Sequence, residues 1–361
     1  MKIKSIETFT TRQLSVVRVT SEDGLQGYGQ MAPYHANISA LVLHQQVAPH
    51  ALGADANDIE ALVETVVREE HKFPGSYICR AVGGLDTALW DLKGKRAGKS
   101  VSELLGGRPG KVPVYGSSMK RNITPQAEAE RIARLKETQG FEAFKIRIAN
   151  NFGNDVDVYP GRSEEVVRAV RAAIGDDTQL YVDANSGLTP AKAIEMGKML
   201  AQYGVCHFEE PCPYMELEWT KQVADALDIP VTGGEQDTDL AQFRRMIQMR
   251  AVDIVQPDIC YVGGISRAME VARMAEAAGM TCTPHAANLS MLTVFTLHMV
   301  TAIPNAGKYM EYTIEEDAWT NGLFTEPLQV IDGQVQVPQG PGWGITVRPE
   351  WLEQADYQIS E

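Results

Sequence analysis

Six polar side chains recur at nearly constant intervals along the second half of this 361-residue chain. Asp183 closes "LYVD", Glu209 "CHFE", Glu235 "TGGE", Asp258 "VQPD", His285 "TPH", and Glu311 sits in "YMEY"; successive intervals are 26, 26, 23, 27 and 26 residues. An acid that ends one apolar run is usually a helix cap, since the helix N-terminus favours negative charge. Equal spacing over three successive runs needs another explanation. A repeat of strand and helix that closes on itself would bring all six ends to one rim, where such folds build their sites. There Asp183, Glu209 and Glu235 would repel one another strongly unless a cation lay between them. Three carboxylates with room for water and substrate oxygens suit Mg²⁺, or Mn²⁺ in its place. Zn²⁺ fits less well, because no His or Cys keeps the spacing of the three acids.

The stretch "FEEP" (208–211) carries two adjacent acids. Strand alternation sends them to opposite sides, so Glu209, which keeps the interval, is assigned inward and Glu210 to a supporting contact. Asp258 and His285 end consecutive runs and should be neighbours. A carboxylate beside an imidazole fixes its tautomer and raises its basicity, as a general base requires. In "AFKIRI", Lys145 and Arg147 alternate with Phe144, Ile146 and Ile148, so both cations face one side. In an open sheet they would be solvated; inside a barrel they would point at the metal, across from His285.

The elements that must position these groups are legible as patterns. Eight short apolar runs, "VPVYGSS", "AFKIRI", "LYVDAN", "VCHFEEP", "IPVTGGEQ", "VDIVQPD", "MTCTPHAA" and "KYMEYT", alternate with amphipathic stretches such as "TPAKAIEMGKMLAQYG" and "GISRAMEVARMAEAAG". Eight βα units over some 200 residues match a (β/α)₈-type barrel. A doubly wound open sheet would place a Gly-rich phosphate turn after its first strand, and "VYGSSMKRNIT" has none. Before the barrel, "KIKSIETFT", "LSVVRVTSEDG" and "LQGYGQMAP" read as a β-meander. Helical periodicity follows from residue 36, with Asp58 as an N-cap. The fold class is therefore α/β, with an α+β capping domain (1–111), a barrel (112–315) and a strand-like segment (316–361) returning to the cap.

Composition sets outer bounds. With 47 acidic and 33 basic residues the net charge is −14, which argues against a nucleic-acid groove. Five cysteines without CxxC spacing fit a reducing compartment, with Cys206, Cys260 and Cys282 read as buried small hydrophobes. The N-terminus lacks a signal-peptide core and no run approaches a membrane span, so a cytoplasmic protein with no membrane partner is expected. Enzymes of this size and type often self-associate, so a homo-oligomer is expected.

Together "GLDTALWDLKGKRAG", "KIR", "VDAN", "FEEP", "GGEQ", "QPD", "TPH" and "MEY" resemble the mandelate racemase-like subgroup of the enolase superfamily over nearly the whole chain. The resemblance implies Mg²⁺ on Asp183, Glu209 and Glu235, and an enediolate formed by removing the proton α to a carboxylate. It makes Asp258–His285 the catalytic dyad and Glu311 a partner of the substrate carboxylate or enediolate.

Three departures narrow the chemistry. Racemases of the subgroup carry Lys-x-Lys, the second lysine being a base, whereas this chain has Arg147, a poor proton acceptor. Sugar-acid dehydratases for galactonate and mannonate carry His two residues after the first metal ligand, where Asn185 stands here. The first hairpin, "TTRQLSVVRV", is short, which leaves Tyr34, His35 and the loop near Tyr77 to shape specificity. One base suffices for dehydration. The expected activity is that of a hydro-lyase on an aldonate or aldarate, giving a 2-keto-3-deoxy acid. His285, Lys145, Arg147 and Tyr159 are candidates to protonate the leaving hydroxyl. A racemase, epimerase or cycloisomerase using the same enediolate is the alternative, and a catalytically silent binding protein is the rival from another class.

Overall fold

A computed structural model describes residues 1–361. The chain opens with the meander expected from its alternation: β1 (Ile3–Thr10), β2 (Ser15–Ser21) and β3 (Gln26–Gln30). They form an antiparallel sheet whose fourth member is the last strand of the chain, Asp356–Ser360, paired to β1. The 23-residue helix Gly75–Ala97 lies against this sheet. Contact is close because β3 presents glycine: a Cβ at Gly29 would fall 2.4 Å from Ala88 N and from Thr87 Oγ1. Asp58 occupies the N-cap of helix Ile59–Glu69, but its side chain makes no capping bond.

The barrel strands follow as β4 (Lys111–Ser117), β5 (Ala143–Arg147), β6 (Gln179–Asp183), β7 (Val205–Glu209), β8 (Val231–Gly233), β9 (Ile254–Val255), β10 (Thr281–Cys282) and β11 (Met310–Thr313). Each from β4 to β9 pairs in parallel with the next, and β11 returns to pair with β4. At the seam between β10 and β11, Cys282 N–H donates to Asn305 O (2.9 Å) and Gly307 N–H donates to Cys282 O (3.2 Å). Helices follow the first seven strands; after β11 the chain runs into its C-terminal segment. Local chemistry starts these helices. Thr124 and Thr189 stand at N-caps with proline in the first turn, and Thr124 Oγ1 accepts from Ala127 N–H.

The C-terminal segment does two things. A hairpin, β12 (Val330–Ile331) and β13 (Gln334–Gln336), extends β4 at the bottom of the barrel. Trp343 is buried between cap and barrel: its N–H donates to Asp91 Oδ1 and its indole N–H to Thr87 O, while its ring packs 4.4 Å from Phe295. The final strand is β14 (Asp356–Ser360).

All five cysteines are free thiols, and one departs from expectation. Cys260 and Cys282 are buried, but Cys206 is exposed, as its alternation on β7 opposes His207 and Glu209, which face inward. No helix is long and apolar enough to cross a membrane.

Candidate active site

Register explains how the site forms. Arg147, Asp183 and Glu209 are direct neighbours across β5, β6 and β7, so their side chains share one layer at the strand ends. Glu235 joins from two residues beyond β8, and the ligand oxygens of Asp183, Glu209 and Glu235 all lie within 4.8 Å of one another. All three acids are buried.

Two cations balance them. Arg147 pairs with Asp183. Lys145 Nζ lies 2.5 Å from Glu209 Oε1, 2.8 Å from Glu311 Oε1 and 3.9 Å from Asp183 Oδ2. Burial alone would lower the Lys145 pKa, but Glu209 and Glu311 outweigh it and hold the ammonium charged. Burial would raise the pKa of Glu209, yet Lys145 and His207 keep it well below the carboxylate range. Glu311 is likewise held down to about 2, with burial opposed by Lys145 and His285. Glu235 differs: burial raises its pKa, and its Oε2 has no hydrogen-bond partner in the protein. A buried carboxylate oxygen without a hydrogen bond, beside two other acids, is the arrangement a hard cation completes.

Across the mouth, His285 Nδ1 lies 2.7 Å from Asp258 Oδ2. Asp258 is fixed in turn as the N-cap of the one-turn helix Ile259–Val262, its Oδ1 accepting from Tyr261 N–H at 2.9 Å. Nδ1 being engaged, Nε2 faces the cluster, 3.5 Å from Glu235 Oε2 and 3.9 Å from Glu311 Oε2. Burial would lower the imidazole pKa, but Glu235, Glu311 and Asp258 raise it to about 10; a divalent cation neutralising Glu235 would remove the largest of these three and return the imidazole toward its ordinary range. Glu311 accepts from Ser117 Oγ (2.7 Å) and Ala286 N–H (2.9 Å). It lies inside β11 rather than at its end, opposite Tyr115.

Asn185 has positive φ (40°), a strained position that asparagine tolerates. Its N–H and Nδ2 donate to Asp183 (2.7 and 3.1 Å), and its Oδ1 accepts from Arg147 (3.0 Å) and Arg121 (2.8 Å). Glu210 does not follow simple alternation. Its φ of 40° ends the extended backbone at Glu209 and brings a fourth carboxylate within electrostatic reach. Burial, Glu235 and Glu209 then push its pKa well above the usual range.

The structure thus gathers Asp183, Glu209, Glu235, Lys145, Arg147, Asn185, Asp258, His285 and Glu311. It does not bring Tyr159 to them: that ring is exposed, and its hydroxyl donates to Glu165 Oε2 at 2.8 Å. Tyr34 and His35, both at positive φ, are exposed on the cap, Tyr34 edge-on to Trp319 with centroids 6.0 Å apart. Two supporting residues were not anticipated. His207 Nε2 (3.0 Å) and Gln256 Nε2 (2.8 Å) both reach Glu209 Oε2. Each stands two residues before a strand-end acid, so the same alternation that placed Lys145 could have found them.

Residues 127–351 match the family described as "Enolase C-terminal domain-like", and residues 2–106 match the "Mandelate racemase / muconate lactonizing enzyme, N-terminal domain". The chain is 30% identical over 348 residues to an arabinonate dehydratase of Saccharolobus solfataricus, covering 95% of this chain and 90% of that protein. It is 32% identical over 359 residues to a D-galactarolactone cycloisomerase of Agrobacterium fabrum, covering 95% and 91%. Among solved structures, a Roseobacter denitrificans protein provisionally described as a racemase superposes with a TM-score of 0.99 at 56% identity, covering 100% of both chains. A mandelate racemase/muconate lactonizing protein from Paracoccus denitrificans PD1222, complexed with magnesium, superposes at 0.91 with 30% identity, covering 98% and 96%.

Proposed function

The chain belongs to the mandelate racemase/muconate lactonizing enzyme family of the enolase superfamily, and on that premise we propose that it is a Mg²⁺-dependent hydro-lyase of sugar acids. Its substrate would be an aldonate or aldarate, and its product a 2-keto-3-deoxy acid. The observation that carries this reading is the asymmetry of the site. One face offers a base, His285 held by Asp258; the opposite face offers Arg147 and a lysine that Glu209 and Glu311 keep charged. Racemisation by two bases needs a proton acceptor on each face, whereas elimination needs one.

Asp183, Glu209 and Glu235 fit the ion by donor type, burial and the unpartnered Glu235 oxygen. When bound, Mg²⁺ supplies a Lewis acid for the substrate carboxylate and the negative charge that develops on it. His285 Nε2 takes the proton from C2, and Asp258 stabilises the resulting imidazolium. The electron pair left at C2 forms the C2–C3 double bond as the C3 hydroxyl departs. The imidazolium holds a transferable proton beside the substrate and returns it to that hydroxyl, which leaves as water; the enol then tautomerises to the 2-keto acid. Lys145 and Arg147 hold oxyanion charge, with Asn185 keeping Arg147 in place and Glu311 contacting the substrate. Tyr34 and His35 contribute from the cap rim. Tyr159, turned toward Glu165, is not assigned a part in proton transfer.

Named relatives at comparable identity include cycloisomerases as well as dehydratases, so the second reading is isomerisation through the same C2 anion. One experiment separates the two. A panel of aldonic and aldaric acids incubated with enzyme and Mg²⁺ in D₂O should yield 2-keto-3-deoxy acids. Deuterium at C2 without loss of water would favour the isomerase, and neither result would overturn both.

A further inference from the structure

Arg80 is a cation without a counter-ion beside the proposed base. It lies on the second turn of helix Gly75–Ala97, at the end nearest the barrel mouth. That helix passes so close to the turn after Asp258 that a Cβ at Gly83 would sit 3.1 Å from Cys260 O. This approach sets the Arg80 guanidinium 3.8 Å over the ring of Tyr261. The Tyr261 ring is in turn 6.3 Å from that of His285. Burial, Asp258 and Glu235 keep the phenol protonated against the opposing pull of Arg80.

Several other largely buried guanidiniums are engaged with carboxylates. Arg147 pairs with Asp183, Arg267 with Glu64 (2.7 Å), and Arg131 with Glu128 and Glu315 (2.8 and 2.9 Å). Arg80 is half-buried and has no carboxylate within 4 Å. Its neighbour Asp258 is already committed to His285 and Tyr261 N–H. Stacking uses only the face of a guanidinium and Tyr261 engages part of its edge, which leaves further N–H donors that match a carboxylate. In a protein of net charge −14 a doubly charged substrate needs such a local cation at each end.

We infer that Arg80, braced on Tyr261, is a subsite for the distal carboxylate of an acyclic sugar diacid, making this enzyme selective for aldarates over aldonates. The inference deepens the sugar-acid reading above and rests on it for the orientation of the substrate. Its first carboxylate and C2 lie at the acidic cluster and His285, and the far end of the carbon chain extends toward the cap. Arg80 takes no part in proton transfer; it determines which acid is held.

The test uses binding, so that it does not depend on turnover. Calorimetry of Mg²⁺-loaded protein carrying His285→Asn would compare three matched pairs: galactarate and galactonate, glucarate and gluconate, mannarate and mannonate. In at least one pair the diacid should bind about 10- to 100-fold more tightly, the scale of a charge-assisted bidentate contact. Adding Arg80→Met should collapse that ratio to within about threefold, and Arg80→Lys should retain part of it. No diacid preference in the parent, or one that survives Arg80→Met, overturns the inference. Conversion of the panel by the unmutated enzyme is scored separately. If no acid is dehydrated while diacid binding still depends on Arg80, the dehydratase reading fails and the subsite stands.

Discussion

The carboxamide oxygen of Asn185 lies 3.0 Å from Nη1 of Arg147, while the same side chain's nitrogen and backbone N–H both hold Asp183. One uncharged residue therefore fixes the relative position of a cation and an acid in the site. Groups that orient such ligands typically matter 10- to 100-fold when removed. Asn185→Ala should lower both Mg²⁺ affinity and kcat by about tenfold or more, read from initial rates across a Mg²⁺ titration. Loss of neither would show that Arg147 and Asp183 keep their places unaided.

The dyad makes a sharper prediction. His285→Asn should abolish both turnover and C2 deuterium exchange, with Mg²⁺ binding changed only a few-fold. Asp258→Asn keeps the shape but reverses the hydrogen-bonding sense toward Nδ1, and should cost about 10²–10⁴ in kcat. Nuclear magnetic resonance in D₂O checks exchange, and calorimetry checks the metal.

Metal removal should be visible without substrate. At 100 times its dissociation constant, Mg²⁺ should stabilise the fold by about 2.7 kcal/mol, and a chelator should reverse the gain. Glu235→Gln removes the unpartnered buried oxygen as a charged donor. Its melting temperature should respond far less to Mg²⁺; an unchanged response would remove Glu235 from the ligand set.

A pH dependence should arise far from the catalytic groups. His298 is fully buried, its Nδ1 accepting from Ser102 N–H and its Nε2–H donating to Trp343 O, both at 3.1 Å. Burial pushes its pKa down to about 4, only partly offset by the Trp343 carbonyl. The unfolded chain then binds more protons than the native one between about pH 6.5 and 4. The contribution is complete above about 6.5 and declines as pH falls through that window, by about 2 kcal/mol at pH 5. Denaturant unfolding of the wild type and His298→Gln at pH 7.5 and 5 should narrow their difference by that amount. A constant difference would refute it.

Cap docking can be tested at one atom. Gly29→Ala would force a methyl against Ala88 N and Thr87 Oγ1. Overpacking of this kind costs about 1–3 kcal/mol. Thermal unfolding should report that loss, whereas Gly53→Ala, with open space around it but positive φ, should cost less than about 2 kcal/mol.

Much of this arrangement was legible because barrels tie chain distance to angular position. The interval between Asp183, Glu209 and Glu235 is the length of one strand–helix unit, so equal spacing became a spatial cluster. Alternation placed Lys145 and Arg147 on one side for the same reason. Alternation failed where the backbone left the extended region: the left-handed conformation at Glu210 is not encoded by any side-chain period. Tyr159 misled because an aromatic in a long loop carries no directional signal; only the folded loop shows it bonded to Glu165. Arg80 was invisible for another reason. Its meaning depends on a helix of the cap meeting a turn of the barrel some 180 residues later in the chain, a juxtaposition no local pattern announces.

The pairing of β14 with β1 has a consequence for biosynthesis. A ribosome delivers β1 before β14, so β1 of a nascent chain lacks its outer partner until β14 emerges. Exposed strand edges invite wrong partners. Disrupting β14 would leave every barrel strand and acidic ligand intact, yet make β1, with its buried residues, the edge of the cap sheet.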